Sequence, residues 1–444
     1  MTTNTLASSL CCYRGSSGIA LSERKETSDK LAIAVLALVF FLSFLQFCFE
    51  RSDVVRLIPV SALLAGATVV LLVRPRETVR AILTSAVRPT TVLTISVVCF
   101  PPLLSSLYRG SSYPILYALA MVVTLVAARI LLSAVGIEGL LLSFFYATTV
   151  SILIVVGMTF SDLLTATGSK RYAPLYFEPN RISFFVASSI PTQLWFAARR
   201  RKKYVLLLSA LCVFIILAAS SRGSSAALVI GGAVAAALYV VRLIRQHSFG
   251  MSRKSLAGIL ALLFLLTGFA AIDEPAFETG GNYIWTKMEL DSRDRGLHSG
   301  FTGRANGWLI LLDVFEKTSW WSGNGYRSTD EDFGFPVDNG YLSTVYELGL
   351  LSTTIVVAKY LVIICWVSII YVTTRSTRDT CLLTSVVTLV IFLANAFVLR
   401  VMFGCGDPVS LLALLWFVSS RQDACANQPP VISYSKPPRT RREC

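Results

Sequence analysis

Long apolar runs separated by short charged breaks dominate the chain from residue 31 onward. They fall at 31–48, 55–73, 91–108, 114–133, 139–159, 182–198, 204–219, 225–241, 255–272, 349–373, 381–401 and 408–420. About 20 predominantly apolar residues are needed to cross roughly 30 Å of hydrocarbon. The pattern therefore predicts an all-α, polytopic transmembrane helix bundle of about twelve spans, the last of them short. Two stretches interrupt the rhythm: 160–181, and a loop at 273–348. This gives a tail at 1–30, spans one to nine over 31–272, the large loop, spans ten to twelve over 349–420, and a tail at 421–444.

Composition supports the same class. With 54% hydrophobic and 15% charged residues in 444 and a mean hydropathy of +0.65, the chain is more apolar than a soluble domain. Lys and Arg cluster in the breaks: Arg24, Lys25 and Lys30; Arg74, Arg76, Arg80 and Arg88; Arg199 to Lys203; Arg242, Arg245, Arg253 and Lys254; Arg375 and Arg378; and the tail with Lys436, Arg439, Arg441 and Arg442. Under a twelve-span count all six clusters share one face, which the positive-inside rule makes cytoplasmic. Both termini are then cytoplasmic, and both long external segments lie on the opposite face. The formal charge of +14 reads as topology and as contact with anionic membrane lipid. No basic stripe with interleaved aromatics suggests nucleic acid.

Before the first apolar run the polar residues give way to no small-residue cleavage site, so that run is expected to stay as a span. Ten cysteines are present, yet none lies between Asp273 and Tyr346, and no disulfide or zinc spacing appears. Cys11 and Cys12 are read as small apolar residues in a tail, with acylation as the alternative. Only two histidines exist, His247 and His298, too few for a histidine metal site. The phosphate-loop pattern GxxxxGK[ST] is missing, so any reaction draws its energy from its substrate or from a gradient.

The segment 160–181, FSDLLTATGSKRYAPLYFEPNR, is too irregular to be helical throughout, with Gly168, Pro174 and Pro179 as breakers. The large loop holds Trp285, Trp308, Trp320 and Trp321, a residue type that prefers the membrane interface. Thr302 can cap a helix beginning at Gly303 and Arg304, on which Trp308, Leu311, Leu312 and Phe315 recur at helical spacing. An interfacial amphipathic helix is expected, with Arg304 beside its positive end, a suitable place for phosphate.

Four external features stand out: Glu178-Pro179-Asn180-Arg181, Ser220-Ser221-Arg222-Gly223, Thr302-Gly303-Arg304, and the stretch from Asp338 to Leu350. Three arginines, Arg181, Arg222 and Arg304, can hold a pyrophosphate bidentately; the alternative is that each reaches for lipid headgroups. Asp338 can accept a hydroxyl proton as a general base or can cap a helix. Glu347 is read as structural.

Taken in order, FEPNRISFFVA at 177, SSRGSSAALVIGG at 220, SGFTGRANGWLILLDVFEK at 299, SGNGYRS at 322 and VDNGYLSTVYELGLL at 337 resemble the O-antigen ligase and polymerase superfamily of bacterial membrane glycosyltransferases. The resemblance covers Phe177 to Leu350. It implies a bundle similar to the C class of glycosyltransferases, in the inner membrane, with a large periplasmic loop and a periplasmic active face. The implied reaction moves a glycan from undecaprenyl pyrophosphate to another sugar, with neither metal nor other cofactor. Arg222 and Arg304 match the family's loop arginines, thought to hold the pyrophosphate with Arg181 beside them, and Pro179 and Asn180 match its PN motif. Asn180, Asn339 and Tyr341 would position sugar or phosphate oxygens. The ligase branch carries histidine and asparagine where this chain has Asp338 and Asn339, so the resemblance favours the polymerases of exopolysaccharide repeat units. A flippase and a chain-length regulator of the same export pathway are the implied partners.

Two rival readings remain. A secondary transporter or flippase shares the twelve-span plan, although no repeat relates the first six runs to the last six. Lys359 and Arg129 are charges within runs, and such charges are functional candidates. A structural subunit of an export machine is the other rival, and would leave Arg304 and Asp338 dispensable.

Overall fold

A computed structural model of the chain describes residues 27–45, 53–76, 78–79, 83, 89–110, 112–166, 171–175, 177–246, 304–317, 320–326, 328–333, 339–373, 379–399 and 407–419. Asp338, Thr302, Trp285, both histidines, Cys11, Cys12 and the run 255–272 lie outside the described residues. Among the described residues there is helix and no strand. The helices are α1 (Thr27–Leu45), α2 (Asp53–Val73), α3 (Pro89–Arg109), α4 (Ser112–Met158), α5 (Phe160–Thr165), α6 (Pro179–Arg200), α7 (Val205–Ala218), α8 (Arg222–Gln246), α9 (Arg304–Lys317), α10 (Ser328–Phe333), α11 (Gly340–Leu348), α12 (Leu350–Thr373), α13 (Asp379–Ala396) and α14 (Pro408–Phe417).

Four of these, α1, α4, α8 and α12, are long and apolar enough to cross a membrane, while α2, α7, α13 and α14 contain shorter apolar stretches. Their outward faces are apolar too: Leu207, Val362 and Ile369 are exposed. Such surface is a liability in water and suits lipid.

Runs 114–133 and 139–159 form one element, α4, broken at Gly136, whose φ of 62° and ψ of −173° leave the helical region. Glycine tolerates this backbone because it has no Cβ. The last run, 408–420, is expected to be short, and it is. Its helix, α14, has ten residues, all buried, and is about 15 Å long. It packs against α4, α6, α12 and α13. A helix apolar all round belongs inside a bundle, so α14 is a short helix at the centre of the bundle.

The bundle has two distinguishable ends. With 22 residues, α6 is about 33 Å long, with Asn180 at one end and Arg199 at the other. At the Arg199 end, Arg199 pairs with Glu138 at 3.3 Å. Arg74 pairs with Asp29 and donates to the Ala134 carbonyl at 3.2 Å, so the break at Gly136 lies there too. These arginines come from clusters expected on one face. At the other end, which we call the loop end, Tyr172 and Thr159 share a hydroxyl contact of 2.7 Å, and the Tyr172 N–H donates to the Ala218 carbonyl at 3.0 Å.

Small residues line the contact between α8 and α13. A Cβ on Gly223 would sit 2.6 Å from Val398 Cγ2, and one on Gly231 2.7 Å from Ile391 Cγ1. With buried Ala227 between them, these positions recur every four residues, the spacing that lets membrane helices approach closely. Between α6 and α7, Gln193 Nε2 donates to Ser189 Oγ at 3.0 Å and to Cys212 Sγ at 3.3 Å, so the polar face of α6 turns inward.

Candidate functional site at the loop end

The expected loop helix forms as α9, but its buried face is narrower than its sequence spacing implies. Leu311 is buried against Tyr346 of α11, with Trp308, Val314 and Phe315 packed around them. Trp308 meets Phe397 edge-on at 5.6 Å. Leu312 is exposed, as are Leu309 and Ile310. Leu312 therefore leaves the expected stripe, because α9 rests on α11 and the end of α13 and turns a second apolar face outward.

Two of the motif segments interlock here. The N–H groups of Asn324 and Gly325 donate to the Tyr346 and Glu347 carbonyls at 2.9 Å each, and the Leu350 N–H donates to the Trp320 carbonyl at 2.9 Å. The glycine-rich SGNGY turn thus caps the C-terminus of α11, and these N–H groups are occupied by protein. Gly323 and Gly349 make this possible, with φ of 74° and 85°. A Cβ on Gly323 would lie 2.5 Å from the Glu347 carbonyl oxygen, and one on Gly349 2.7 Å from the Gly323 nitrogen. Glu347 accepts from Thr329 Oγ1 at 2.6 Å, a structural contact.

Two further segments, FEPNR and SSRGSS, are joined by Arg171, which no sequence motif includes. Arg171 Nε donates to the Ala219 carbonyl at 2.7 Å. Its Nη2 donates to Asn180 Oδ1 at 2.9 Å and to the Ser220 carbonyl at 3.3 Å. Ser220 has a φ of 50°, rare for a residue with a Cβ, and its side chain is buried with no hydrogen-bond partner among the described residues. Two residues later Arg222, half-buried, opens α8.

At the start of α8, Ser221 donates its hydroxyl to Ser224 at 3.2 Å, and Ser224 donates to Asn395 Oδ1 at 3.1 Å. Asn395 Nδ2 completes the chain with the Ile391 carbonyl at 3.0 Å. The hydroxyl of Ser221, just before α8, is thus given to Ser224, and that of Ser224 to α13, while Arg222 stands at the helix's positive end.

Arg181 lies one residue beyond Asn180 and pairs with Glu178 at 3.3 Å. It also acts on Asp407, the N-cap of α14, whose carboxyl is pushed above its usual range by burial, against the pull of the Ser410 hydroxyl, the Ser410 and Val409 N–H groups and Arg181. The charge of Arg181 is thereby partly met.

Asn339 is the cap of α11. Its Oδ1 accepts from the N–H groups of Tyr341 and Leu342 at 3.0 Å each, and it is only 3% exposed. Tyr341 donates its hydroxyl to the Leu393 carbonyl at 2.9 Å, and burial raises its pKa. Both residues are held by protein at the loop end. Arg304 opens α9, with its side chain, like Asp338, outside the described residues.

Among the described residues no group of three or more histidine, cysteine, aspartate or glutamate side chains could hold a metal. Away from the loop end, Lys359 Nζ lies 4.2 Å from the centre of the Phe417 ring. Compared with known proteins, the chain matches no family and no curated relative.

Proposed function

We propose that the chain is a polymerase of lipid-linked polysaccharide repeat units, of exopolysaccharide or O-antigen type, in the bacterial inner membrane. In this reading it has about twelve spans, a bundle similar to the C class of glycosyltransferases, cytoplasmic termini and a periplasmic site. The donor is an oligosaccharide on undecaprenyl pyrophosphate, and the acceptor is a sugar hydroxyl of the next lipid-linked repeat. Attack at the anomeric carbon forms the new glycosidic bond and releases the pyrophosphate lipid.

The observation carrying the reading is that Arg171 ties Asn180, the neighbour of Arg181, to the Ala219 and Ser220 carbonyls two to three residues before Arg222, the residue that opens α8. Guanidinium groups beside a helix N-terminus suit a leaving pyrophosphate. Preorganised charge of this kind stabilises a leaving group by several kcal/mol where water is largely excluded. Arg304, at the start of α9, joins this set, and Asp338, next to the buried cap Asn339, serves as the base. With Asn339 filling the cap, Asp338 is not needed for that task.

Transfer to lipid A core by a ligase is the nearest alternative. A flippase reading draws on Lys359 inside the bundle. The deciding experiment is the lipid-linked glycan profile of cells lacking the gene, complemented with the natural chain, Asp338→Ala or Arg222→Ala. Loss of long polymer with accumulation of single lipid-linked repeats in the deletion and both variants supports the polymerase. Polymer retained on its carrier indicates a ligase, and no repeat reaching the outer face indicates a flippase. Full polymer yield from Arg222→Ala removes that arginine's role.

A further inference from the structure

We propose that Arg171 is a positioning residue for the anion site, fixing both the turn that presents Arg222 and the orientation of the Asn180 amide; this rests on the function proposed above. Arg171 reaches three acceptors from two different segments: the Ala219 carbonyl at 2.7 Å, Asn180 Oδ1 at 2.9 Å and the Ser220 carbonyl at 3.3 Å. Ala219 and Ser220 follow the last residue of α7, where carbonyls lack helical partners and a cation is favoured. The guanidinium therefore acts as a C-terminal cap supplied from another segment.

This cap acts on a residue whose backbone needs support. Ser220 holds a left-handed φ of 50°, and such conformations persist only where the surroundings over-determine them. The turn sets where α8 begins, and hence where Arg222 and the first N–H groups of α8 point. The same Nη2 that holds the Ser220 carbonyl also takes Asn180 Oδ1, so the amide presents its Nδ2, with two donors, away from Arg171. Asn180 is then a donor toward the site, which suits phosphate or sugar oxygens. Lysine cannot replace Arg171, because only the planar fork serves acceptors in divergent directions.

The test uses the full-length protein in lipid nanodiscs, with undecaprenyl pyrophosphate as the binding probe and undecaprenyl monophosphate as the comparison. Arg171→Gln, Arg171→Lys, Arg222→Gln and the double variant Arg171→Gln/Arg222→Gln are compared with the natural chain. Amide hydrogen exchange is read over 178–182 and 218–226, with 340–348 as the internal reference. Arg171→Gln and Arg222→Gln should each weaken pyrophosphate binding about tenfold, and the double variant should be no weaker than the worse single one.

Exchange should accelerate at 178–182 and 218–226 in the Arg171 variants only, with 340–348 unchanged. Arg171→Lys keeps the charge but loses the fork and should resemble Arg171→Gln; it also serves where the glutamine variant does not fold. Wild-type binding matched by either Arg171 variant, or unchanged exchange over 218–226, overturns the positioning role alone. A natural chain that binds neither lipid, or binds both equally, overturns the pyrophosphate reading and the positioning role with it.

Discussion

Arg109, the last residue of α3, holds Asp332 of α10 at 2.9 Å across 223 positions of the chain. The same carboxylate accepts the Tyr346 hydroxyl at 2.6 Å, so one acidic group ties the N-terminal half of the bundle to α11. Tyr346 also packs against Leu311, Phe315 and Phe333, making this α11 residue the common partner of α9 and α10.

Tyr346→Phe should therefore loosen this cluster without unfolding the bundle. Removing one buried hydrogen bond costs about 1 kcal/mol. Hydrogen exchange should accelerate at 328–333 and 342–348 and stay unchanged across α6 and α7. Unchanged exchange at 328–333 would mean that the Arg109 contact alone holds α10.

The same tyrosine predicts a pH dependence. Burial, then the Asp332 hydrogen bond and charge, raises its pKa above the ordinary tyrosine value, with Arg109 pulling the other way. An acid favoured in its neutral form when folded contributes stability that is complete below its unfolded pKa of about 10. That contribution is lost as pH rises through the higher folded value. The α10–α11 contact should weaken above about pH 10, and Tyr346→Phe should remove that part of the alkaline response. An identical alkaline profile in the variant would assign the response to other groups.

Asn339 offers a test separating architecture from chemistry. If its task is to cap α11, Asn339→Ser and Asn339→Asp should keep stability and polymer yield near natural levels. Asn339→Ala should cost about 1 kcal/mol. Loss of polymer in Asn339→Ser with unchanged thermal stability would instead give its remaining amide donors a role toward substrate.

Close packing of α8 on α13 predicts a repairable defect. Gly231→Val should clash with Ile391 and lower stability by about 1–3 kcal/mol, read as thermal unfolding of the purified protein in detergent. Adding Ile391→Ala should restore part of the loss. No recovery in the double variant would show that the helices meet elsewhere.

Much of the described fold was legible in the sequence because its causes are local. Apolar runs among the described residues are helices, and the grouping of Arg74 with Arg199 on one face agrees with the shared end where both meet residues flanking Gly136. The motif segments at 177, 220, 322 and 337 are far apart in sequence, and their pairing is a tertiary fact. Nothing in 160–181 ranks Arg171 above Lys170, since its value comes from carbonyls 48 and 49 positions away. Asn395 lay hidden inside an apolar run, and its hydrogen bond to Ser224 depends on how closely α8 approaches. Leu312 falls outside the buried stripe of α9 because periodicity fixes which residues share a face but not how wide a face the neighbours cover. The sequence offers Asp338 as a cap, and the structure gives that task to its neighbour Asn339, whose side chain accepts from Tyr341 and Leu342.

Gly323 and Gly349 touch through their backbones, and neither site has room for a Cβ. In evolutionary terms the pair has no neutral single step away from glycine, because a change at one meets main chain, which cannot repack, and not a side chain that a second mutation could trim. Among descendants of this sequence that keep the SGNGY turn, the two positions should be fixed together. A lineage losing either should also have remodelled the whole junction between α11 and α12, leaving these two sites as a marker of where the architecture itself has changed.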